Sequence, residues 1–503
     1  MRFASVPELR ALDAAANAAT RLPGPAPETG APPLMRLAAL ALADTAESLA
    51  ARLPSRPAVF AVAGGGDNGA DAVLAAALLA ERGFRTEVLR VADAASWADA
   101  PAASVPLRAI VLDGVLGIGL RGAPRADAAA AIGWIRRARD ERAALVVAVD
   151  LPSGVEADTG DVPGAAVRAD FTVTMGLPKR AFAHADALAL CGEIRVADIA
   201  YPDAAFAPPA ADRTVSSLYA ARDLRLAIPP RPHAAHKGDF GRVALFVGSE
   251  RYSGAGALAA LGALRGGAGL VSAFVPRALV PALAAQAPEL MVRGYDAPSL
   301  SPEALAALAP DLSGAVVAAG CGLSLAPGVA AGIRWLLSTP GVRGFVLDAD
   351  ALTLLSPLPP SREAGFAHEA SAPRFVLTPH PGEAARLLGT TAAAVQADRP
   401  AAARALAERS GATVVLKGAG TLVATPGREL ALIAAGNPGL ARGGSGDLLC
   451  GLCAALLARG LAPHDAACAA AFLHGRAADL AALRRTPEGL LPSDLLDELW
   501  SPS

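Results

Sequence analysis

Short apolar runs that end in glycine or an acid, each followed by an alanine-rich stretch of helical spacing, recur along both halves of the chain. In the first half Pro57–Ala63 reads as a strand, a turn of Gly64, Gly65, Gly66 and Asp67 to Asp71 closes it, and Ala72–Ala80 follows as a helix. Further strands are expected at Arg85–Ala92, Leu107–Asp113, Ala144–Asp150, Phe171–Met175 and Glu193–Val196. Ahead of them, Ser5–Ala19 and Leu34–Leu53 have helix-forming composition around a loop rich in Pro and Gly. Strands that are apolar throughout and alternate with helices predict a parallel sheet buried on both faces. Ligands of such sheets bind beyond the C-terminal ends of the strands. Asp67, Asn68, Asp71, Asp113, Asp150 and Ser153 all fall at such ends.

The second half repeats the alternation: strand Gly314–Ala319, helix Gly328–Leu337, strand Gly344–Leu347, and a strand Thr413–Leu416 ending at Lys417. The whole chain is therefore expected to be α/β, a domain on a parallel sheet followed by a second layered domain. A Pro- and Ala-rich stretch separates them, so the expected division is 1–212, a linker at 213–221, and 222–503.

Composition narrows the partners. At 503 residues two cores are the default. A formal charge of −2 carries no electrostatic footprint for nucleic acid or an anionic membrane, so small molecules are favoured. No apolar run reaches the length of a membrane span, and no secretory signal is visible. The odd set of five cysteines, 191, 321, 450, 453 and 468, fits a reducing compartment, and the expected location is cytoplasmic. Cys450 and Cys453 spell CxxC inside a helical pattern, which reads as buried small hydrophobes.

Several segments carry chemistry. Gly117-Ile118-Gly119-Leu120-Arg121-Gly122 is a literal GxGxxG, but it follows an inner strand instead of the first, so ordinary dinucleotide binding is the minority reading. Asp150-Leu151-Pro152-Ser153-Gly154 follows another strand. Together with the glycine turn before Asp71 and with Leu177-Pro178-Lys179, these segments resemble the NAD(P)H-hydrate epimerase domain, also called the YjeF N-terminal domain, over residues 1–212. The resemblance implies a Rossmann-like three-layer domain and a bound K+ ion with Asn68, Asp113 and Ser153 as ligands. It implies substrate contacts from Asp67, Asn68, Gly69, Ala70, Asp71, Gly117, Ile118, Gly119, Leu120, Arg121 and Asp150. Asp150 and Lys179 are then the candidates for proton transfer, since an acid and an amine in one dry cleft can be tuned towards neutrality. The chain departs from the family pattern at Asp67, Ala70 and Ala72, where Asn and glycines are usual.

Near the C-terminus, glycines crowd Gly436 to Gly446 and run into Asp447 and an apolar helix. A helix starting at Ser445 would aim free N–H groups at an anion, and the Asp447 carboxylate needs a separate reason for being there. No GxxxxGK[ST] is present, which excludes a Walker loop. Lys417 after an apolar strand is costly to bury without an anion, and a nucleotide phosphate would satisfy it. His380, between prolines at a strand end, is better placed for chemistry than His184, His368 or His464. HKGDFGRV, GCGL, LDADAL, LTPHPGE, VVLKGAGT and GNPGLARGGSGD resemble the ADP-dependent NAD(P)H-hydrate dehydratase domain, a ribokinase-like fold. By that resemblance Ala255, Gly322, His380 and Asp447 would contact the hydrate. Lys417, Gly418, Ala419, Gly420, Thr421 and Gly446 would hold the nucleotide, with Mg2+ accompanying it. Asp447 would act as the base on the substrate hydroxyl. Arg442 stands where Thr is usual and adds positive charge near the anion site.

The two resemblances in this order imply the bifunctional NAD(P)H-hydrate repair family, with NADHX or NADPHX and ADP as small-molecule partners. Homo-oligomerisation is left open. Two alternatives stay open on the residues alone: a ribokinase-like small-molecule kinase, and a dehydratase whose N-terminal domain is a non-catalytic scaffold.

Overall fold

The computed structural model describes residues 1–19, 32–99, 104–202, 205, 215–308, 311–358 and 374–501. The chain divides into two compact units, Met1–Asp212 with Ser216–Arg222 in one and Asp223–Pro502 in the other. Of the expected linker at 213–221, residues 213 and 214 lie outside the described residues, and Val215–Tyr219 forms a strand.

The first unit is built on six parallel strands, β1 (Val59–Ala63), β2 (Thr86–Arg90), β3 (Ile110–Gly114), β4 (Leu145–Val149), β5 (Phe171–Met175) and β6 (Glu193–Ala197). Their order in the sheet is β2-β1-β3-β4-β5-β6. β1, β3 and β5 are buried along their whole length, as apolar runs in a two-sided sheet should be. β2 departs from that expectation: at the sheet edge it leaves most of Thr-Glu-Val-Leu-Arg to solvent. One face is closed by the helix Ala126–Arg142, whose Ala131, Ile132, Trp134 and Ile135 pack on Phe60, Val62, Val111 and Val146. Trp134 is the centre of that layer, tilted 56° against Phe60 at 5.9 Å and edge-on to Trp97 at 5.7 Å.

The helix expected at Ala72–Ala80 begins five residues earlier and spans Asp67–Glu81. The segment read as a loop from Asp67 to Asp71 is thus the first turn of a helix. Asp67 there complements the positive end of the helix dipole, which explains locally how an acid is tolerated after three glycines. Gly69 has a steric reason to be glycine, because a Cβ on it would lie 2.0 Å from the Gly64 carbonyl oxygen. Ala72, where the family pattern has glycine, finds its room opposite Gly114.

In the second unit the strands are β8 (Arg242–Phe246), β9 (Leu270–Pro276), β10 (Met291–Tyr295), β11 (Val316–Ala319), β12 (Gly344–Leu347), β13 (Arg374–Leu377), β14 (Thr413–Leu416), β15 (Thr421–Ala424) and β16 (Leu430–Ile433); β7 is Val215–Tyr219 at the division between units. The sheet runs β10-β9-β8-β11-β12-β13-β14-β15-β16. It is parallel up to β14, and then β15 and β16 return antiparallel. Phe246 stacks on Phe274 at 4.7 Å and Phe345 on Phe375 at 5.0 Å, filling the sheet face between neighbouring strands.

Two helices, Ser253–Arg265 and Ser445–Ala458, lie in close contact across the second unit. Glycine makes this possible from both sides. A Cβ on Gly262 would be 2.2 Å from the Leu448 carbonyl oxygen, and one on Gly451 would be 1.9 Å from that of Ala259. The start of the second helix is thereby fixed against the sheet, with Gly444 at φ 96° turning the chain into Ser445.

Candidate active sites

In the first unit, the expected cation ligands converge around the ends of β3 and β4. Asp113 is fully buried and accepts hydrogen bonds from Ser153 N at 2.9 Å, Ser153 Oγ at 2.6 Å and Val115 N at 3.4 Å. The Asn68 amide donates to the Val149 carbonyl at 2.6 Å and the Leu116 carbonyl at 3.4 Å, and Ser153 Oγ reaches the same Leu116 oxygen at 3.2 Å. A Cβ on Gly117 would sit 2.4 Å from Asn68 Oδ1, so this glycine clears the space for the amide. Burial pushes the Asp113 carboxyl up to about 6 against the pull of the Ser153 hydrogen bonds.

Asp150 and Lys179 form a buried ion pair. Lys179 Nζ also donates to Thr174 Oγ1 at 2.9 Å, Met175 O at 3.1 Å and Leu177 O at 3.3 Å, while Asp150 Oδ1 accepts from Met175 N at 2.8 Å. Asp150 sits in the left-handed backbone region at φ 69°, an unusual geometry that aims its side chain back over β5. The segment carrying Lys179 is clamped by the N-terminal residues: Ala4 N donates to Pro178 O at 2.8 Å, and Ala4 pairs with Lys179 as an isolated bridge.

Asp71 faces this group. Its carboxyl is pushed up to about 8 by burial, then by the charges of Asp150, Asp67 and Asp13, and its Oδ1 is buried without a hydrogen-bond partner among the described residues. Asp13, from the first helix, holds the Tyr201 hydroxyl and is itself raised by burial. Sequence reasoning missed both residues, because a lone Asp in an alanine-rich helix and a Tyr 188 positions away carry no local signal. Arg121, expected on substrate, pairs with Asp158 at 3.1 Å while more than half exposed. Its loop is held by Gly122 N donating to Glu156 Oε1 at 2.6 Å.

In the second unit Lys417, Asp348, Glu383 and Asp447 surround the start of the helix Ser445–Ala458. Lys417 Nζ lies 2.7 Å from Asp348 Oδ1 and 3.9 Å from Glu383 Oε2. The partner predicted for the buried lysine was a phosphate. Here two carboxylates already supply the negative charge, which is why the amine can be buried in the bare protein. Burial alone would lower Lys417, but Asp348 and Glu383 outweigh it and hold the ammonium above its ordinary range. The place a Cβ would take on Gly446 is 3.2 Å from Lys417 Nζ and 3.4 Å from Asp348 Oδ2, so the helix start, the amine and the acid share one pocket wall. Asp447 is pushed up to about 7 by burial and then by Asp348, with the Cys321 thiol and Lys417 pulling the other way.

Around them, Gly322 at φ 66° packs against Ala255 and Tyr252, bringing together two of the expected substrate positions. His380 caps the helix Pro381–Leu388: its Nδ1 accepts from Gly382 N at 3.0 Å and its Nε2 lies 3.3 Å from Glu383 Oε1. Burial and then Lys417 lower it below the ordinary imidazole value, which favours the neutral ring. His368 lies outside the described residues, and His464 is bound to Thr425 at 3.0 Å.

The loop Lys417–Thr421 is organised by Arg399, which sequence reasoning missed. Its guanidinium donates to the carbonyls of Lys417, Leu416 and Gly420 at 3.2–3.3 Å, and Lys417 N donates to Pro379 O at 2.9 Å, which together fix the course of the loop. Gly436 N and the Asn437 side chain are tied to the buried Asp479 at 2.7 Å and 3.0 Å. Arg442 donates to Glu488 O at 2.8 Å, which fixes its guanidinium on the C-terminal segment.

A family model described as NAD(P)H-hydrate dehydratase matches residues 243–500, and one described as YjeF-related protein N-terminus matches residues 32–100 and 97–181. A bifunctional NAD(P)H-hydrate repair enzyme of Moorella thermoacetica is 41% identical over 394 residues, covering 78% of this chain and 72% of that one. Another of that description, from Coxiella burnetii, is 34% identical over 472 residues, 90% and 91% of the two chains. The chain belongs to the bifunctional NAD(P)H-hydrate repair family. It carries both of the family's segments, epimerase then dehydratase, in the order read from the sequence. Among solved structures, the ADP/ATP-dependent NAD(P)H-hydrate dehydratase from Bacillus subtilis, co-crystallised with ATP and Mg2+, is 28% identical and covers 57% of this chain and 97% of that one, with a TM-score of 0.49. No helix among the described residues is long and apolar enough to cross a membrane.

Proposed function

We propose that the second unit dehydrates (6S)-NADHX or NADPHX at the expense of ADP and that the first unit interconverts the R and S hydrates. The observation that carries this reading is the juxtaposition of Asp447, poised near neutrality, with the Lys417–Asp348 pair at a helix start. The first-turn N–H groups of a helix lack intrahelical acceptors and receive an anion, here a phosphate of the nucleotide held by the Lys417–Thr421 loop. Asp447 takes the proton of the ring hydroxyl. The hydroxyl oxygen forms its bond to the β-phosphorus as the bond to the AMP oxygen breaks, and the bond from the ring carbon to the ester oxygen then breaks, releasing phosphate as the neighbouring ring carbon loses a proton and the ring double bond forms. NAD(P)H, AMP and phosphate are the products. Mg2+, when bound with ADP, supplies charge neutralisation at the phosphates.

In the first unit, Asp150 and Lys179 hold and return the proton as the hydroxylated ring carbon changes hand, beside Asp71, whose buried Oδ1 has no hydrogen-bond partner among the described residues. The residues fit a K+ ion: the Asp113 carboxylate, the Ser153 hydroxyl and the Val149 and Leu116 carbonyls offer oxygens, Asn68 adds its Oδ1 once the amide now donating to those carbonyls is turned, and the hydrogen-bond partners of Asp113 among the described residues are neutral. Such a ligand set suits a hard cation. The five cysteines are buried and free, in keeping with work in the reducing cytoplasm.

The test is product analysis with the full chain. Mixed NADHX epimers plus ADP are expected to be consumed completely, yielding NADH, AMP and phosphate. A stable phosphorylated metabolite would identify a kinase instead, and consumption that stops at the S epimer would make the first unit a scaffold.

A further inference from the structure

Among the described residues, Cys321, Asp348 and Cys450 place one ligand atom each within 4.8 Å of one another, and all three are buried. They come from three separate elements: the turn after β11, the turn after β12, and the second turn of the helix Ser445–Ala458. The CxxC pair read from the sequence, Cys450 with Cys453, is thus replaced in space by Cys450 with Cys321, residues 129 positions apart in the numbering and united only by the fold. Asp447, three residues before Cys450 on the same helix, adjoins the trio, and the Cys321 thiol beside it counters the rise of its carboxyl.

We propose that Cys321, Cys450, Asp348 and Asp447 form a site for a thiophilic divalent cation of the zinc class. In a tetrahedral zinc site, sulfur at about 2.3 Å and oxygen at about 2.0–2.2 Å from the metal put ligand atoms about 3.5 to 3.8 Å apart, so the observed cluster closes on an ion with side-chain adjustments alone. Two sulfurs select this class over Mg2+, which takes oxygen ligands and keeps its waters. The ion displaces the two thiol protons to solvent, giving two thiolates and two carboxylates around a 2+ charge. The Lys417 ammonium, 2.7 Å from Asp348 Oδ1, offsets part of the negative excess. Asp447, only partly buried, gives the ion its way in. Bound there, the metal occupies the proposed base and the acid beside Lys417, and so switches the dehydratase off; that consequence rests on the function proposed above, whereas the site does not.

Co2+ titration of the reduced, metal-free full chain reads the site without turnover. One equivalent is expected to produce thiolate-to-cobalt charge-transfer absorption and tetrahedral visible bands, bleached by one equivalent of Zn2+. Both signals are expected to vanish in Cys321→Ala and in Cys450→Ala and to persist in Cys191→Ala, a buried cysteine of the other unit. Absence of the bands in the unaltered protein overturns the proposal whatever the variants do. Their survival in Cys321→Ala, or their loss in Cys191→Ala as well, overturns it equally.

Discussion

Lys417 and Asp348 lie 2.7 Å apart at the mouth of the second-unit helix, and the same Asp348 carboxylate raises Asp447. One acid therefore both compensates the buried amine and tunes the base. Asp348→Asn keeps the hydrogen bond to Ala349 N that starts its own helix but removes the charge. The acidic limb of the kcat/KM profile for dehydration is expected to move to lower pH, because Asp447 loses a repelling neighbour. Lys417, left with Glu383 at 3.9 Å, loses its close partner. Stability should fall by about 2 kcal/mol, a Tm drop of roughly 5 °C, less than for a fully enclosed pair because the lysine side chain is one-fifth exposed. A profile that stays in place would separate Asp348 from the tuning of the base.

Asp447 itself sets the second expectation. A base pushed up to about 7 is protonated below neutrality, so dehydration should rise with pH and level off above 7. Asp447→Asn is expected to lower kcat about 10²- to 10⁴-fold. The stability sign is opposite to that of a salt-bridged acid. The folded state holds a proton that the unfolded chain releases near pH 4, so Asp447 costs stability as pH rises from 4 through 7. The Asn variant should therefore match the unaltered protein at pH 4–5 and exceed it in Tm at pH 8. Thermal melts at the two pH values check this, and an undiminished rate in Asp447→Asn would sink the assignment.

The contrast between what was legible and what was not runs through these residues. Asp150, Lys179, Lys417 and Asp447 announce themselves because each follows a short apolar strand or a glycine turn, where polarity has no core to serve. The strands themselves are legible for the same reason: an apolar run such as Val59–Ala63 has few other places to go. Lys417's carboxylate partners, the Asp13–Tyr201 hydrogen bond, the Arg399 brace and the Cys321–Cys450 contact were not legible. Each joins residues from separate elements whose distance depends on sheet order, and sheet order is not written in local periodicity. The shift of the helix start to Asp67 was missed for a different reason. Three glycines read as a turn, while the helix uses them as its approach and takes the acid as its first residue.

Asp113 provides a cation-dependent expectation. Its carboxyl, pushed up to about 6, must ionise before it can ligate K+. Potassium is thus expected to raise the Tm of the first unit at pH 8, where the carboxylate is charged, and to do little at pH 5. At a K+ concentration 100 times its dissociation constant the gain is about 2.7 kcal/mol. Asp113→Asn should abolish the difference between the two pH values. Differential scanning fluorimetry in KCl against a large organic cation at equal ionic strength measures it, and an equal shift at both pH values would remove Asp113 from the ligand set.

Gly451→Ala pits two magnitudes against each other. In a free helix the change would be worth about 1 kcal/mol in favour of Ala. Here the new Cβ would stand 1.9 Å from the Ala259 carbonyl oxygen and 2.8 Å from Ala263 N, both backbone atoms of the facing helix, which cannot rotate away as a side chain can. The two helices must part, and overpacking of this kind costs about 1–3 kcal/mol or more. The clash wins, so the second unit should melt lower, and dehydration should fall with it because the displaced helix carries Ser445, Gly446 and Asp447 at its start. Gly133→Ala in the first unit supplies the comparison. Its Cβ would meet nothing nearer than Arg137 Nη1 at 3.6 Å, so the propensity term stands unopposed and the first unit should melt higher. Opposite signs from two helical glycines, read by calorimetry on the full chain, are what the packing argument requires. A neutral or stabilising Gly451→Ala would mean that the two helices are not held at the separation on which the site depends.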